Sequence, residues 1–352
     1  MQKDNGCNSL NMGKMKVGIV CDQFGNLQRG GAEVQVDNTV KYLNMTGDVV
    51  AEYIDRNSTD IDKYDLIHFF KSNIEYYPLA CTLKEKGIPY VVSTIVFPKR
   101  YWMAVCKYRF VSYLYSSIRR MFSASFRYGL WENAACLYPN TDQEALFLKR
   151  IIKNKKIEVV LNGIDIKEMN DSLLFDSLFF DKYEFLKGQK FVLNVARIDT
   201  RKNQKNLLLA CKKLDLPLVL IGKIWDEKYY KEMIGVNYNK LYYLGPIYDR
   251  KLLFSAYKAC SLFCLPSTLE TPGIAALEAA YFNKPVVVTK YGGTQLYFKD
   301  FAYYIEWNDV NDIANGIRSM FEVKRDTRGY ISGLSWENIA RTYVESYRAI
   351  CE

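Results

Sequence analysis

Two glutamates, Glu270 and Glu278, stand eight residues apart on either side of Thr271-Pro272-Gly273. The run IAALEAAY after Pro272-Gly273 predicts a helix that opens there, since proline suits the first helical turn. The N–H groups of a first turn lack intrahelical partners, and with the helix dipole they can receive a phosphate. Glu278 then falls about two turns along the helix, close enough for both carboxylates to reach one cleft. Two acceptors beside an anion-binding helix end suit a ligand that carries hydroxyls and phosphates together. A nucleotide sugar is such a ligand.

Other residues offer weaker chemistry. Arg29-Gly30-Gly31-Ala32-Glu33 follows the first apolar run, where glycines let a backbone approach a phosphate. The spacing is not that of a dinucleotide-binding loop. Asp60-Ile61-Asp62 has the form of a divalent-metal pair, but it sits in the polar run NSTDIDKYD and reads as a solvated loop. His68 is the single histidine, at the end of YDLIHFF. A packing role and a place near a sugar or acceptor both fit it. Phe97–Trp131 interleaves Lys99, Arg100, Lys107, Arg109 and other cations with aromatics, and holds no acid. An anionic membrane surface or lipid-linked acceptor suits that pattern, as do a packed helical pair and single-stranded nucleic acid.

These residues need a scaffold. KVGIVC, YDLIHFF, IPYVVSTIVF and ACLYPN read as buried strands separated by helical patterns, and FVLNVARI, LPLVLIG, KLYYLG, SLFCLPS and KPVVVTK repeat the alternation later. Helices between strands make the sheets parallel. The chain is expected to be α/β with two doubly wound domains, 1–180 and 181–335, joined through an irregular stretch from Lys167 to Lys187. Ligand sites lie outside the carboxyl ends of the strands. The 352 residues suffice for two domains, and 49% hydrophobic with 25% charged residues excludes disorder. The net charge of +9 favours anionic partners without choosing one. Nine scattered cysteines and one histidine supply neither a disulfide framework nor a zinc set, so the thiols are expected to be reduced, as in a cytosol. The N-terminal MQKDNGCNSLNMGK lacks the apolar run of a secretory signal, and no stretch is long and apolar enough to span a bilayer.

The pattern P-S-x-x-E-x-x-G-x-x-x-x-E-A around Glu270 and Glu278, followed by KPVVV and Gly292-Gly293, resembles glycosyltransferase family 4. NVARIDTRKN is similar to that family's G-R-x-x-x-x-K-N segment, with Ala196 in place of glycine. Gly30-Gly31-Ala32-Glu33, Asn162-Gly163-Ile164-Asp165, Leu244-Gly245-Pro246-Ile247 and the closing Ser335-Trp336-Glu337 extend the likeness along most of the chain. Two departures stand out. Ser93-Thr94-Ile95-Val96-Phe97 has no histidine where the family commonly has one near the donor sugar, and Gln295 alters the G-G-x-x-E pattern.

The resemblance implies the GT-B fold, two Rossmann-like domains facing a central cleft, with a last helix, 336–352, returning to the first domain. It also implies a retaining transfer of a hexose-type sugar from a UDP- or GDP-sugar to a glycan or polyprenyl-linked acceptor, in cell-surface polysaccharide assembly. Arg197 and Lys202 would carry the donor diphosphate, where fixed cations stabilise the charge that builds as the sugar–phosphate bond breaks. Glu270 would contact the transferred sugar and Glu278 the ribose hydroxyls. Gly30, Gly31, Ile247, Thr271, Pro272, Gly273 and Ile274 would complete the donor site, with His68 a candidate for sugar or acceptor. No cofactor, metal or nucleic-acid partner is expected. The expected setting is cytoplasmic, with a peripheral place on the inner face of the cytoplasmic membrane through 97–131 as the further option. A nucleotide-sugar epimerase and a non-catalytic glycan or nucleic-acid binding protein are the alternatives.

Overall fold

A computed structural model describes residues 13–21, 31–55, 60–98, 100–118, 123–172 and 177–352. The first half builds β1 (Met15–Val20), β2 (Val49–Tyr53), β3 (Leu66–Phe70), β4 (Tyr90–Ser93), β5 (Cys136–Tyr138) and β6 (Lys156–Ile157) into one parallel sheet, ordered β2-β1-β3-β4-β5-β6. The second half builds β7 (Val192–Val195), β8 (Leu218–Ile221), β9 (Leu241–Tyr243), β10 (Leu262–Leu265), β11 (Val286–Thr289) and β12 (Ala302–Ile305) into another, ordered β12-β11-β10-β7-β8-β9. This is the α/β, doubly wound architecture expected. Strands such as β3, β8, β10 and β11 are buried along their whole length because helices cover both faces.

Each sheet reverses its winding once, between β1 and β3 in the first and between β7 and β10 in the second. At such a point adjacent strands send their following helices to opposite faces, which opens a crevice at the strands' carboxyl ends. The loop after β1 leads into α1 (Gly31–Thr46), and the loop after β7 into α8 (Gln204–Leu214).

The described parts of the stretch 167–187 carry short helices. These are α6 (Ile166–Asp171) and α7 (Leu178–Lys182), whose Met169 and Phe179 are fully buried in the core that also holds Leu193 and Phe263. The aromatic content of the stretch, without clean periodicity, is explained by short pieces each burying one large side chain. The chain returns through α15 (Trp336–Cys351), whose Trp336, Tyr343 and Tyr347 pack with Val17, Leu66 and Tyr138 of the first sheet. The two crossings between the halves are pinned to each other. Ile164 N donates to Leu334 O at 2.9 Å, and Trp336 N to Ile164 O at 3.1 Å. A Cβ on Gly163 would lie 2.7 Å from Trp336 N, so glycine is what permits this approach.

IPYVVSTIVF forms a shorter strand than expected. β4 ends at Ser93, and Ile95 has φ of 45°, a left-handed conformation that β-branched residues avoid. Glu144, on α5 (Asp142–Ile151), holds this bend: its Oε1 accepts from Thr94 Oγ1 at 2.5 Å and Val96 N at 2.6 Å, and its Oε2 from Asn140 N at 3.0 Å.

Candidate active site

The loops at the second sheet's switch point carry the expected residues. β7 runs out into Ala196-Arg197, and a turn closed by Lys202 N donating to Asp199 Oδ1 at 2.9 Å leads to α8. β10, adjacent to β7, runs out to Glu270. Lys202 Nζ meets Glu270 Oε1 at 2.5 Å, although 67 residues lie between them in the chain. Arg197 pairs with Asp199 at 3.4 Å and stacks over Trp225, with its guanidinium carbon 4.8 Å from the ring centroid. Arg197, Lys202, Glu270, Thr271, Gly273 and Ile274 all line one cavity of about 380 Å³, which Gln35, Ile95 and Asn140 close from the first half.

Glu278 stands in a neighbouring cavity of about 780 Å³, and Val195, Ile274 and Ala275 form a wall common to both. Glu278 lies on α11 (Ile274–Tyr281), is buried, and accepts from Arg250 Nη2 at 2.8 Å and Tyr257 OH at 2.8 Å. Arg250 also donates to Glu168 Oε2 at 3.2 Å. Burial alone would lower the Arg250 guanidinium, but the charges of Glu278 and Glu168 outweigh it and raise it above its ordinary value. Burial, reinforced by Glu278, likewise raises Tyr257, so its hydroxyl stays a donor.

The helix at Glu278 begins two residues after the proline. Gly273, with φ of 82°, is its N-cap, so Pro272 is buried before the helix rather than inside its first turn. Gly273, Ile274 and Ala275 at the cavity wall bring the unpartnered first-turn N–H groups beside it. Gly292 packs its backbone on Glu270: the two form a bridge, and Gly293 N donates to Glu270 O at 2.8 Å.

Not every expected residue joins the site. Gly30 lies outside the described residues, and Gly31 is the first residue of α1. Ile247 packs against the second core and lines neither cavity, and Pro272 lines neither. His68 requires a correction. It is fully buried in β3, with Nδ1 2.6 Å from Tyr347 OH and Nε2 2.8 Å from Ser93 Oγ, so neither nitrogen is left for a sugar or acceptor. A strand covered on both faces has no open side, and His68 instead ties β3 and β4 to α15. Asp62 pairs with Lys86 at 2.7 Å. Among the described residues no group of three or more His, Cys, Asp or Glu is placed to hold a metal ion.

Burial pushes the His68 imidazole from 6.5 down to about 3. The unfolded chain therefore takes a proton first. This group's stabilisation is complete above 6.5 and declines as pH falls, by roughly 1.4 kcal/mol per pH unit. Glu144 acts oppositely, because burial pushes its carboxyl from 4.5 up to about 7 against three hydrogen bonds, and the folded chain holds the extra proton between those values. The difference between the natural chain and His68→Phe isolates the histidine. Urea unfolding is expected to show a gap that narrows by roughly 1.4 kcal/mol per pH unit as pH is lowered from about 6.5 to 5. A gap that does not change with pH would refute a neutral buried His68.

Arg250, Trp225 and Arg201 were not anticipated. Arg201 lines the smaller cavity beside Lys202. Arg250 had a signal, since it opens α10 (Arg250–Ala259) where the helix dipole disfavours a cation. A cation there points to a carboxylate partner. Trp225 carried none beyond being aromatic.

Residues 176–332, a little under half of the chain, match the family model described as glycosyl transferases group 1. Relatives at low identity include an uncharacterised glycosyltransferase of Methanocaldococcus jannaschii, 26% identical over 56% of this chain and 55% of its own length. A Campylobacter jejuni N-acetylgalactosamine-N,N'-diacetylbacillosaminyl-diphospho-undecaprenol 4-alpha-N-acetylgalactosaminyltransferase is 25% identical over 62% and 58%. An Escherichia coli UDP-Gal:alpha-D-GlcNAc-diphosphoundecaprenol alpha-1,3-galactosyltransferase is 26% identical over 73% and 66%. The match thus spans a little over half the length of the first two relatives. Among solved structures, a glycosyltransferase from Rickettsia africae superposes with a TM-score of 0.76 at 16% identity, over 96% of this chain and 99% of that one. Anabaena HepE in complex with UDP superposes with a TM-score of 0.71 at 18% identity, over 96% and 100%. These superpositions identify the fold as GT-B.

Proposed function

We propose that this chain is a retaining family 4 glycosyltransferase that moves a hexose-type sugar from a UDP- or GDP-sugar to a glycan or polyprenyl-diphosphate-linked acceptor. The observation that carries this reading is the meeting of Arg197, Lys202 and Glu270 at the switch point, with Glu278 one wall away. A diphosphate at the start of α11 would lie against Arg197 and Lys202. Ribose hydroxyls would replace or join Arg250 on Glu278, and Glu270 would face the sugar.

In the reaction, the acceptor oxygen bonds to the anomeric carbon while the bond from that carbon to the β-phosphate oxygen breaks. The bonding pair leaves with the diphosphate, and the acceptor's proton passes to that leaving oxygen. Attack and departure on one face retain configuration. The cations stabilise the developing charge more as the bond opens, which lowers the barrier rather than merely tightening binding. The relatives' printed substrates, sugars on undecaprenyl diphosphate, support a lipid-linked acceptor.

A thermal-shift panel of UDP-, GDP- and other nucleotide sugars tests the donor. A ligand present at 100 times its Kd stabilises by about 2.7 kcal/mol, which for a chain of this size raises Tm by several degrees. One nucleotide class is expected to give that shift, and Glu278→Ala to abolish most of it. No shift with any donor, together with an unaltered response in Glu278→Ala, would remove the proposal.

A further inference from the structure

A second cationic cavity adjoins the first at the carboxyl ends of β3 and β4. It measures about 560 Å³, and its lining includes Lys71, Ile95, Lys107, Tyr108 and Arg127 but no acidic residue. Ile95 lines both this cavity and the smaller donor-side one. A further link joins the two: Lys71 of this cavity pairs at 2.8 Å with Glu33, which lines the other. Lys71 and Ile95 have φ of 73° and 45°. Strained non-glycine backbone of this kind persists where surrounding contacts enforce it, and it concentrates at ligand sites. Here Ser72 Oγ donating to Thr94 O at 2.7 Å and the Glu144 hydrogen bonds do so.

The cations differ in what already holds them. Arg127 is oriented by Nε donating to Ser72 O at 2.9 Å and Nη1 to Tyr108 OH at 3.1 Å. Lys107 is exposed, and among the described residues its recorded neighbour is the Tyr108 ring, 6.0 Å away, rather than a carboxylate. Lys107 projects from α3 (Tyr101–Ile118), whose Met103, Phe110 and Tyr113 are also exposed. Met103, Lys107 and Phe110 recur at helical spacing, so an apolar stripe passes the cavity with a cation in it.

We propose that this cavity binds the diphosphate of a lipid-linked acceptor on Lys107 and Arg127, with the polyprenyl chain lying along the exposed face of α3. The assignment rests on the transferase reading and locates its acceptor. It accounts for three features together: an acid-free cationic cavity, an apolar helix face running from its edge, and a wall common to the donor side across which an acceptor hydroxyl could meet the sugar.

The test titrates the full chain with farnesyl diphosphate, followed by tryptophan fluorescence, with and without saturating UDP. Inorganic pyrophosphate and phosphatidylglycerol vesicles form the other arms. Farnesyl diphosphate is expected to bind more tightly than pyrophosphate and to persist with UDP present. Lys107→Glu, at an exposed position, is expected to weaken it about tenfold while leaving UDP affinity intact. Arg127→Lys, which keeps the charge but loses the planar fork, is expected to weaken it less than Arg127→Gln. Unchanged farnesyl diphosphate binding in Lys107→Glu overturns the site, as does its displacement by UDP. Vesicles bound in a Lys107-dependent way without farnesyl diphosphate binding overturn it in favour of a plain membrane contact. Failure here with nucleotide sugars still bound leaves the transferase reading standing. Lys107-dependent farnesyl diphosphate binding with no nucleotide sugar bound supports the diphosphate site and removes the transferase reading.

Discussion

Lys202→Ala is expected to lower kcat by about two to three orders of magnitude, the usual loss when one preorganised group facing a developing oxyanion is removed. Lys202 lies 2.5 Å from Glu270 in a site where their side chains are 16% and 5% exposed. With so little of either side chain exposed, solvent is poorly placed to take over the lysine's charge. Two effects combine in the variant. On the proposed reading the leaving diphosphate would lose one of two fixed cations, and Glu270 would be left as a nearly buried carboxylate without its partner, which costs about 1–3 kcal/mol of stability. In the proposed site the ground-state donor would still meet Arg197 and the α11 N-terminus, so its Kd is expected to change by no more than about tenfold. Radiolabelled transfer gives kcat, and calorimetric titration with the nucleotide sugar gives Kd. A Lys202→Ala enzyme that turns over within about threefold of the natural one would mean that the lysine does not face the breaking bond.

Gly292→Ala is expected to damage stability and activity together. The residue has φ of 102°, and an added Cβ would lie 2.1 Å from Glu270 O, a backbone atom that cannot rotate away. The strand-end bridge between Gly292 and Glu270 must open for a methyl group to fit. Left-handed backbone alone costs an alanine about 1 kcal/mol, and the clash adds to it, so a loss of roughly 2–4 kcal/mol is expected. Displacing Glu270 by about 1 Å is expected to cost near a hundredfold in kcat even in the molecules that remain folded. Gly188→Ala supplies the comparison. Its φ is 77°, but nothing lies within 4 Å of the added Cβ. It should lose about 1 kcal/mol by urea unfolding and keep its turnover. Equal kcat in the two variants would show that the Gly292 contact does not position Glu270.

Much of this architecture is legible in the linear chain because strands and helices announce themselves locally. Short β-branched runs such as VVVT and LVLI, buried on both faces, alternate with helical patterns, and that alternation implies a parallel sheet before any coordinate is known. Glu270 and Gly273 are likewise local, since one turn brings them to the same cavity, whereas Glu278, expected to reach that cleft too, lines the neighbouring cavity across a wall. IPYVVSTIVF was less legible: its β-branched residues favour a strand, yet β4 stops at Ser93. The Glu144 hydrogen bonds, from a helix about fifty residues later, override that preference at Ile95.

His68 shows the same division. Its place within an apolar run suited either packing or a ligand, and the choice depended on Tyr347, which is 279 residues away in the chain. Arg250 and Glu278 are separated by 28 residues and meet because α10 and α11 pack against each other. The cavity behind Ile95 was legible only in part: the cation-and-aromatic run Phe97–Trp131 supplies Lys107, Tyr108 and Arg127, but Lys71 and Phe147 reach it from elements that sequence does not place beside that run.

What the sequence determined by itself was the identity and order of the elements, and the local pairing of carboxylates with a helix start, because hydrophobic period and turn chemistry act over a few residues. What only the tertiary structure decided was which loops face one another. Strand order sets that: β7 and β10 are neighbours in the sheet with two strands between them in the chain. Lys202 thereby reaches Glu270, and the cost of closing so long a loop is met by burial of the whole sheet rather than by any contact in the site.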